Sequence, residues 1–342
     1  VSSNACIGGV VGDIFSNDVY TIVRNNLNAA SISFTEITSE GEPYVYIGGI
    51  AGDSQTTTIA NCVSLTVIDS KLSGKYRKIG SIVGGAFDGT IAQCYWNKDS
   101  QHKISYTTSS VKATASYPID NNLTLNGKTP VVTNLNSYAD KESLAKWTLL
   151  DYDTSGLVAV EPVLVHSKYF ERMALPLPSL PAPSDEYEFV AWYMDVELKT
   201  PFSKSLVKDG RVTVHAKWKE FTNIVQIDYD IKVIDDGQII SEIKRLLDCD
   251  DCFTIIEKFD DEADSGTMKV YFRNVTTARR FVDAVTDGSG NTIDGITSIK
   301  YIKKEDINFL VNHAYKEGNP LYPVPCIWDK KDFKDLYLSL LK

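Results

Sequence analysis

Two carboxylates recur at one position of a repeated pattern near the N-terminus. "IGGVVGD" ends at Asp13 and "IGGIAGD" ends at Asp53, whereas the third copy, "IGSIVGG", ends at Gly85. If the copies stack as neighbouring strands, the two carboxylates lie about 4.7–4.9 Å apart. Such a pair could hold Ca²⁺ or carry out acid/base chemistry on a polysaccharide. Aspartate after glycine is also ordinary turn chemistry, which is the favoured interpretation because the third copy lacks the carboxylate.

Cysteines offer a second kind of chemistry. Cys62 and Cys94 take the same position in "TIANCVS" and "TIAQCYW", at a spacing that permits a disulfide, although two stacked buried thiols are favoured. The motif "CDDC", Cys249–Cys252, has redox spacing, but its acidic neighbours and its place at a helix C-terminus disfavour a reactive thiolate. A local disulfide or two free thiols is therefore favoured over catalysis. Zinc would need two further ligands, and only His313 and Cys326 follow, at no recognised spacing.

The repeat that carries these residues indicates a stacked β architecture. Its copies start at Ile7, Ile47 and Ile79, and each is followed by a second match: "TIVRNNL", "TIANCVS" and "TIAQCYW". Self-similarity at periods of about 20–50 residues is typical of solenoids, in which each unit buries its apolar face against its neighbours. The segments are rich in Ile, Val and Thr and interrupted by Gly and Asn, which predicts strands joined by turns. We therefore expect an N-terminal right-handed parallel β-solenoid.

These segments resemble the GLUG motif, named for its Gly-Leu-x-Gly core, and "IANCVS" and "IAQCYWN" are similar to the ending of that motif. The resemblance covers about residues 5–97 and implies extracellular or surface proteins, often adhesin-like, with no catalytic residues. The first copy departs from the pattern, because Asn25 stands where the repeated cysteines sit. Residues 97–136 predict loops and strands, and "LNSYADKESLAKWTLL" predicts a capping helix with Asp140 as its N-cap. We expect this domain to span residues 1–156.

A proline-rich stretch, "LPLPSLPAPSD", introduces a second module. Residues 157–219 resemble a Listeria-Bacteroides repeat, and the matching residues are Phe189, Trp192, Tyr193, Pro201, Phe202, Ala216, Lys217 and Trp218. The resemblance implies a small β-grasp-like module, bounded here at 157–220, that serves as a stalk or spacer in bacterial surface and secreted proteins. Core packing is favoured over a sugar-stacking platform as the role of its aromatic residues. His215 falls on the polar face of a strand, where we expect it to be solvated.

Residues 221–342 predict an α+β domain. The segments from "NIVQIDYDIKV" to "ITSIKYIKK" give the element order βαββαβ, which is the ferredoxin-like plan. The unit also resembles RNA-recognition motifs, but Thr267 and Lys269 stand where bases would stack, and RNA binding is rejected. A resemblance to the SEA domain adds self-cleavage at Gly266–Thr267 as an alternative to an ordinary hairpin. The tail "DKKDFKDLYLSLLK" predicts an amphipathic helix that docks on the preceding unit.

Composition narrows the classes of function. The 342 residues carry a formal charge of −10, which disfavours nucleic acid and anionic membranes as partners, and the apolar runs are too short to span a bilayer. The chain opens at Val1 in mid-pattern, from which we expect a fragment. We predict a multidomain, mainly β, non-enzymatic protein of the cell surface or extracellular space, which needs no cofactor and binds a protein or a glycan.

Two alternatives stay open. One is a carbohydrate-active β-solenoid enzyme of the polysaccharide lyase or hydrolase type, with Asp13, Asp53 and basic partners lining a groove. The other is an intracellular scaffold built from the same modules.

Overall fold

In a computed structural model the chain forms two compact units, which are described separately. The first comprises residues 1–177 and 192–216, and the second comprises 178–191 and 217–342. The structure describes residues 5–15, 20–33, 44–69, 77–100, 102–107, 110–167, 170, 177–260, 264–286, 293–303, 306, 311, 315 and 329–340. His313 and Cys326, the remote zinc candidates, lie outside the described residues. The prediction of a mainly β chain is confirmed.

Short strands rich in β-branched residues build the repeat region of the first unit. They are β1 Ala5–Gly8, β2 Val11–Ile14, β3 Thr21–Arg24, β4 Leu27–Asn28, β5 Ile32–Ser33, β6 Val45–Gly48, β7 Ala51–Ala60, β8 Val63–Ser64, β9 Ile68–Asp69, β10 Arg77–Gly80, β11 Val83–Ala92, β12 Tyr95–Asn97, β13 Ser105–Thr107, β14 Val111–Thr114 and β15 Tyr117–Ile119. The first sheet has the order β1–β6–β10, the second has the order β13–β11–β7–β2 with β3 and β14 beside β7 and β11, and the third has the order β15–β12–β8–β4. β5 and β9 pair separately, and β16 Thr124–Leu125 and β17 Thr129–Pro130 form a short antiparallel pair.

Equivalent residues of the repeat copies are register partners in these parallel sheets. Ile47 pairs with Ile7 on one side and with Ile79 on the other. In the second sheet Asp13 pairs with Asp53, as the repeat predicts. Successive copies therefore place like residues in rows that run across the strands.

Glycines let the main chains of the first two sheets come into direct contact. A Cβ on Gly52 would lie 2.4 Å from the carbonyl oxygen of Gly12 and 2.4 Å from the amide nitrogen of Ile7. A Cβ on Gly84 would meet the amide nitrogen of Ile47 at 2.3 Å. The first sheet therefore lies directly against the start of β2, β7 and β11, which a residue with a side chain would prevent.

A row of left-handed residues turns the chain from the second sheet into the third. Asn25, Asn61, Gln93 and Ala115 have φ angles of 61°, 52°, 51° and 47°. Each of the first three donates its main-chain amide proton to a carbonyl oxygen in the next layer of strands, at 3.0 Å. Asparagine adopts this conformation more readily than most residues, which explains why it recurs before the end of the motif.

The first copy is aligned one residue differently from the prediction. Val23, rather than Ile22, is the register partner of Ile59 and packs into the core, while Ile22 is 55% exposed. The predicted match of Asn25 with the repeated cysteines is therefore wrong, because Asn26 takes that place. A shift of one residue exchanges the two faces of a strand, so the buried side chain decides the register.

A fourth layer of strands follows the three copies of the repeat, in a region for which the sequence predicts only loops and strands. Strands β13, β14 and β15 continue the second and third sheets in parallel register, and Tyr117 pairs with Tyr95. The Ser116 hydroxyl and the Cys94 thiol each donate to the carbonyl oxygen two residues earlier, at 2.9 and 3.4 Å. This fourth layer lacks the repeated glycines, although it keeps the backbone pairing of the three copies.

Helix α1, Val131–Lys141, packs along the third sheet. The helix begins after Pro130, so the prediction of Asp140 as N-cap is wrong, because Asp140 lies in its last turn. The polar residues between the buried positions obscured the helical pattern of "VVTNLNSYA". The buried face of α1 belongs to a hydrophobic cluster that includes one residue from each of three successive layers of strands, namely Val63, Tyr95 and Ile119. The contact is with the side of the stack, whereas a capping helix would cover its end.

A four-stranded sheet follows, with β18 Trp147–Asp153, β19 Val163–His166, β20 Tyr187–Tyr193 and β21 Gly210–Glu220, and a short 3-10 helix at Lys204–Leu206 precedes β21. Its order is β19–β18–β21–β20, with β18 antiparallel to β19 and parallel to β21. The predicted boundary between residues 156 and 157 falls between β18 and β19, which are hydrogen-bonded neighbours.

Side chains of β18 and β19 contact the first copy of the repeat and so attach this sheet to it. The Trp147 indole donates to Oδ1 of Asn25 at 2.7 Å, and His166 Nε2 lies 2.9 Å from the Asn25 carbonyl oxygen. The His166 ring stacks on Trp147 with 4.0 Å between centroids. Burial lowers the pKa of His166, so the neutral ring is the form that this contact favours at neutral pH.

Two expectations for the second predicted module are decided by contacts within the first unit. Trp192 is buried and lies against Tyr152, 5.0 Å between ring centroids, in agreement with core packing. The expectation of a solvated His215 is wrong, because its Nδ1 lies 2.8 Å from Oδ2 of Asp153 on the neighbouring strand.

The second unit contains an antiparallel sheet covered by two helices. Its elements are β22 Ile224–Asp230, α2 Asp236–Leu247, β23 Phe253–Asp260, β24 Ser265–Phe272, α3 Val275–Thr286 and β25 Ile296–Tyr301, in the sheet order β23–β24–β22–β25. A capping box between Asp235 and Gln238 starts α2. One apolar face of each helix packs on the sheet, with residues that include Ile239, Ile243, Ala278 and Phe281.

Helix α4, Lys330–Leu340, covers the other face of this sheet. Its Phe333 and Tyr337 share a hydrophobic cluster with Ile224 and Tyr271, whose strand neighbours face α2 and α3. The prediction that the amphipathic tail docks on the preceding unit is confirmed.

The glycine contact generates a stability prediction. Gly52→Ala forces a Cβ against main-chain atoms of β1 and β2. We therefore expect the free energy of unfolding of the first unit to fall by about 3 kcal/mol or more. Gly237→Ala in the first turn of α2 is the control, because the nearest atom to its Cβ is Asp235 Oδ1 at 3.3 Å. Thermal denaturation measures both variants. An unchanged midpoint for Gly52→Ala contradicts the close contact.

Candidate functional site

Cys6, Asp13 and Asp53 form a group that we name the acidic cluster. The Cys6 thiol and one oxygen of each carboxylate all lie within 4.8 Å of one another. Across the described part of the chain, no other group of three His, Cys, Asp or Glu side chains comes together in this way. The two aspartates are predicted by the repeat. Cys6 is not, because it precedes the glycine turn and reaches the aspartates only when the chain reverses.

Tyr46 closes one side of the acidic cluster. It is the register partner of Cys6 and is buried. A Cβ on Gly85 would lie 2.5 Å from a ring carbon of Tyr46 and 2.7 Å from a carboxylate oxygen of Asp53. The glycine that replaces aspartate in the third copy therefore makes room for the Tyr46 ring beside the Asp53 carboxylate.

Burial and crowding disfavour negative charge in the acidic cluster. Burial first, and the Asp13 carboxylate in addition, raise the pKa of Asp53 to about 6, against the Ser54 amide that donates to Asp53 Oδ1 at 2.9 Å. Burial, followed by repulsion from both aspartates, raises the pKa of Cys6 to about 11. Both shifts favour the protonated forms of the Cys6 thiol and the Asp53 carboxyl group over their charged forms.

The acidic cluster has no ion-pair partner among the residues that the structure describes. Within the described ranges, neither Asp13 nor Asp53 forms an ion pair with lysine or arginine. Lys78, the register partner of Tyr46, places its ammonium 3.2 Å from the centroid of the Tyr106 ring. The cluster can therefore receive a proton, a cation or hydroxyl hydrogen bonds. Ca²⁺ at Asp13 and Asp53 stays a prediction; the added thiol is a ligand for softer ions such as Zn²⁺.

Aromatic side chains that are not among the sequence-predicted site residues lie beside the acidic cluster. Tyr44 stacks on Tyr46 at 6.0 Å between centroids, and Phe87 meets the same ring edge-on at 6.3 Å. Phe15 is 67% exposed and Tyr106 is 56% exposed. A signal was present in the sequence, because Phe15 and Phe87 both stand two residues after the repeated aspartate position and so face outward with it.

The repeated cysteines lie in the core. Cys62 and Cys94 are free thiols with no exposed surface, and they donate to the carbonyl oxygens of Ala60 and Ala92 at 3.2 and 3.4 Å. Burial raises the pKa of Cys94 well above its ordinary value. The structure thus matches the favoured interpretation of stacked buried thiols.

The two remaining candidates lie in the second unit. Cys249 and Cys252 are free thiols after the C-terminus of α2, and burial raises the pKa of Cys252 to about 11, which opposes thiolate chemistry. Gly266 lies in regular antiparallel pairing and leaves room for the Tyr229 ring, 2.3 Å from where a Cβ would be. The Thr267 hydroxyl donates to the Asp228 carboxylate at 2.9 Å. Packing on Tyr229 accounts for this glycine without self-cleavage.

No protein-family model matches the chain, and no curated protein or solved structure matches it significantly. The resemblances to the GLUG motif and to the Listeria-Bacteroides repeat therefore stay predictions. The function of the acidic cluster has to be inferred from its own geometry and surroundings.

The raised pKa of Asp53 generates a pH-dependent prediction. Because its pKa is about 6 in the folded chain and lower when unfolded, its ionisation removes stability as pH rises through 6. Asp53→Asn keeps the acceptor for the Ser54 amide and should stabilise the protein at pH 8 by on the order of 1 kcal/mol, allowing for solvent screening of a half-buried group. Near pH 4 the difference should vanish.

Chemical denaturation at the two pH values makes this measurement. Asp99→Asn is the matched control, since Asp99 is an exposed carboxylate in the same unit. An equal gain from both variants, or a gain that does not depend on pH, would contradict the electrostatic account of the acidic cluster.

Proposed function

We propose that the chain is a non-enzymatic protein of the cell surface or extracellular space that presents its repeat region to a protein or glycan partner. The parallel register of the repeat copies carries this proposal, because it places outward side chains in rows at the strand spacing of about 4.8 Å. A partner with its own regular repeat can contact several rows at once. Large binding surfaces of this kind are characteristic of stacked repeat proteins.

We infer the finer architecture from the order of the sheets. Three parallel sheets that take their strands from successive copies support a right-handed parallel β-solenoid in the first unit. The element order βαββαβ and the sheet order β23–β24–β22–β25 support a ferredoxin-like fold in the second. The β-grasp-like module at 157–220 and the three-domain division stay proposals that rest on sequence resemblance.

Charge supports the choice of partner. The net charge of −10 is unfavourable for binding nucleic acid or an anionic membrane surface. Among the described residues, no helix combines the length and the apolar character that a membrane span requires.

A carbohydrate-active enzyme is the second candidate, and one observation favours it. The carboxylates of Asp13 and Asp53 approach within 4.8 Å, and the pKa of Asp53 is raised to about 6. Retaining glycosidases hold two carboxyl groups about 5–5.5 Å apart, one of them with a raised pKa. A lyase acting on acidic polysaccharides would also need a cation beside the substrate carboxylate, and Lys78 is engaged with Tyr106.

Two measurements separate these functions. Antibodies against the purified chain should label intact source cells or the culture medium, whereas labelling only after cell disruption would favour an intracellular scaffold. Incubation with neutral, acidic and amino polysaccharides should release no new reducing ends. Release that Asp13→Asn abolishes would instead establish the enzyme.

A further inference from the structure

The outward side of the second sheet carries exposed rings next to the acidic cluster, and we name the residues Phe15 and Phe87 the aromatic face. The neighbouring Tyr106 ring is covered by the Lys78 ammonium, 3.2 Å from its centroid. We infer that the aromatic face and the acidic cluster together bind a polysaccharide that carries free amino groups. The inference rests on the proposed function and names the partner of the same surface.

Register places these side chains in two adjacent rows. One row contains Asp13, Asp53, Gly85 and Tyr106, which are successive partners across β2, β7, β11 and β13. The other row lies two residues further along each strand and contains Gln55 and its partner Phe87. Phe15 directly follows the last residue of β2, Ile14, whose partner is Ser54, and we place it next to this row.

Alternation along the strands turns both rows to the outside. Ile14, Ser54 and Ala86, which lie between the two rows, are buried. Phe15 is 67% exposed, Tyr106 is 56% exposed and Phe87 is 36% exposed. An exposed apolar patch rimmed by polar groups commonly marks a binding surface.

The spacing of the rings suits a chain of sugar residues. The main chains that carry Phe15 and Phe87 are two strand spacings apart, or roughly 9–10 Å. That distance is about the length of two pyranose rings in an extended polysaccharide. The C–H face of a pyranose ring is apolar and flat, so it can cover a phenyl ring, while the Gln55 amide between them can bond sugar hydroxyl groups.

Charge complementarity selects the type of sugar. Asp13 and Asp53 form no ion pair within the described residues, and their mutual repulsion contributes to the raised pKa of Asp53. A protonated amine placed between the two carboxylates would remove that repulsion and make charge-assisted hydrogen bonds. A polysaccharide that carries carboxylates would be repelled, and an N-acetylated one would gain only the contacts with the rings.

Calorimetric titration with three hexasaccharides tests the inference. The probes are a β-1,4-linked glucosamine hexamer, its fully N-acetylated form and a hexamer of galacturonic acid. We expect the glucosamine hexamer to bind at least ten-fold more tightly than the N-acetylated form at low salt, and the galacturonate to show no binding. Salt should reduce the preference for the amine.

Variants assign the two parts of the surface. Phe15→Ala with Phe87→Ala should weaken the binding of both glucosamine hexamers at least ten-fold, whereas Asp13→Asn with Asp53→Asn should remove only the preference for the amine. Tyr117→Ala is the matched control, because Tyr117 is 52% exposed but lies in the third sheet. If the double phenylalanine variant unfolds, Phe15→Ala alone makes the test.

Several outcomes would overturn the inference. They are no binding of the glucosamine hexamer, equal binding of a lysine-rich peptide, and binding that the four substitutions leave unchanged. Sedimentation that shows a concentration-dependent dimer, lost in the phenylalanine variant, would assign the aromatic face to contact between copies of the chain. Labelling of intact cells together with any of these results would leave the proposed surface function standing while the glycan assignment fails.

Discussion

The close main-chain contact at the repeated glycines is the constraint on which the rest of the first unit depends. The first sheet can lie directly on the second only because Gly52 and Gly84 place no side chain between them. That contact holds each copy in the same conformation, so the copies pair in parallel with equivalent residues side by side. The core rows, the acidic cluster and the aromatic face are all consequences of this register.

Placing like residues side by side has opposite effects inside and outside the stack. Inside, Ile59 and Ile91 are paired and buried, and the apolar contact stabilises the fold. Outside, Asp13 and Asp53 are paired and repel one another, which contributes to the pKa of about 6 for Asp53. The same geometry that stabilises the core therefore brings two carboxylates together without an ion-pair partner among the described residues, and a bound cation would relieve their repulsion.

The sequence was informative wherever a local pattern repeats. It predicted the pairing of Asp13 with Asp53, the element order of the second unit and the docked tail helix, because spacing and periodicity are local properties. It did not predict that β13, β14 and β15 extend the stack, because these strands keep the backbone geometry without the glycine signature. It predicted a helix in the segment that begins at Leu135 but placed its N-cap at Asp140, whereas α1 spans Val131–Lys141, because polar residues mask the apolar face of its first turns. Cys6 joined the acidic cluster through chain reversal, which no spacing along the sequence reveals. The one-residue shift of the first copy was decided by which side chain enters the core.

The central claim is that equivalent residues of successive copies are direct neighbours. Nuclear Overhauser contacts between isoleucine and valine methyl groups in selectively labelled protein test it most directly, because neighbouring strands lie only about 4.8 Å apart. The account predicts contacts from Ile47 to both Ile7 and Ile79, and from Ile59 to Val23 and Ile91. Contacts confined to residues of the same copy, or a contact from Ile59 to Ile22 in place of Val23, would contradict it.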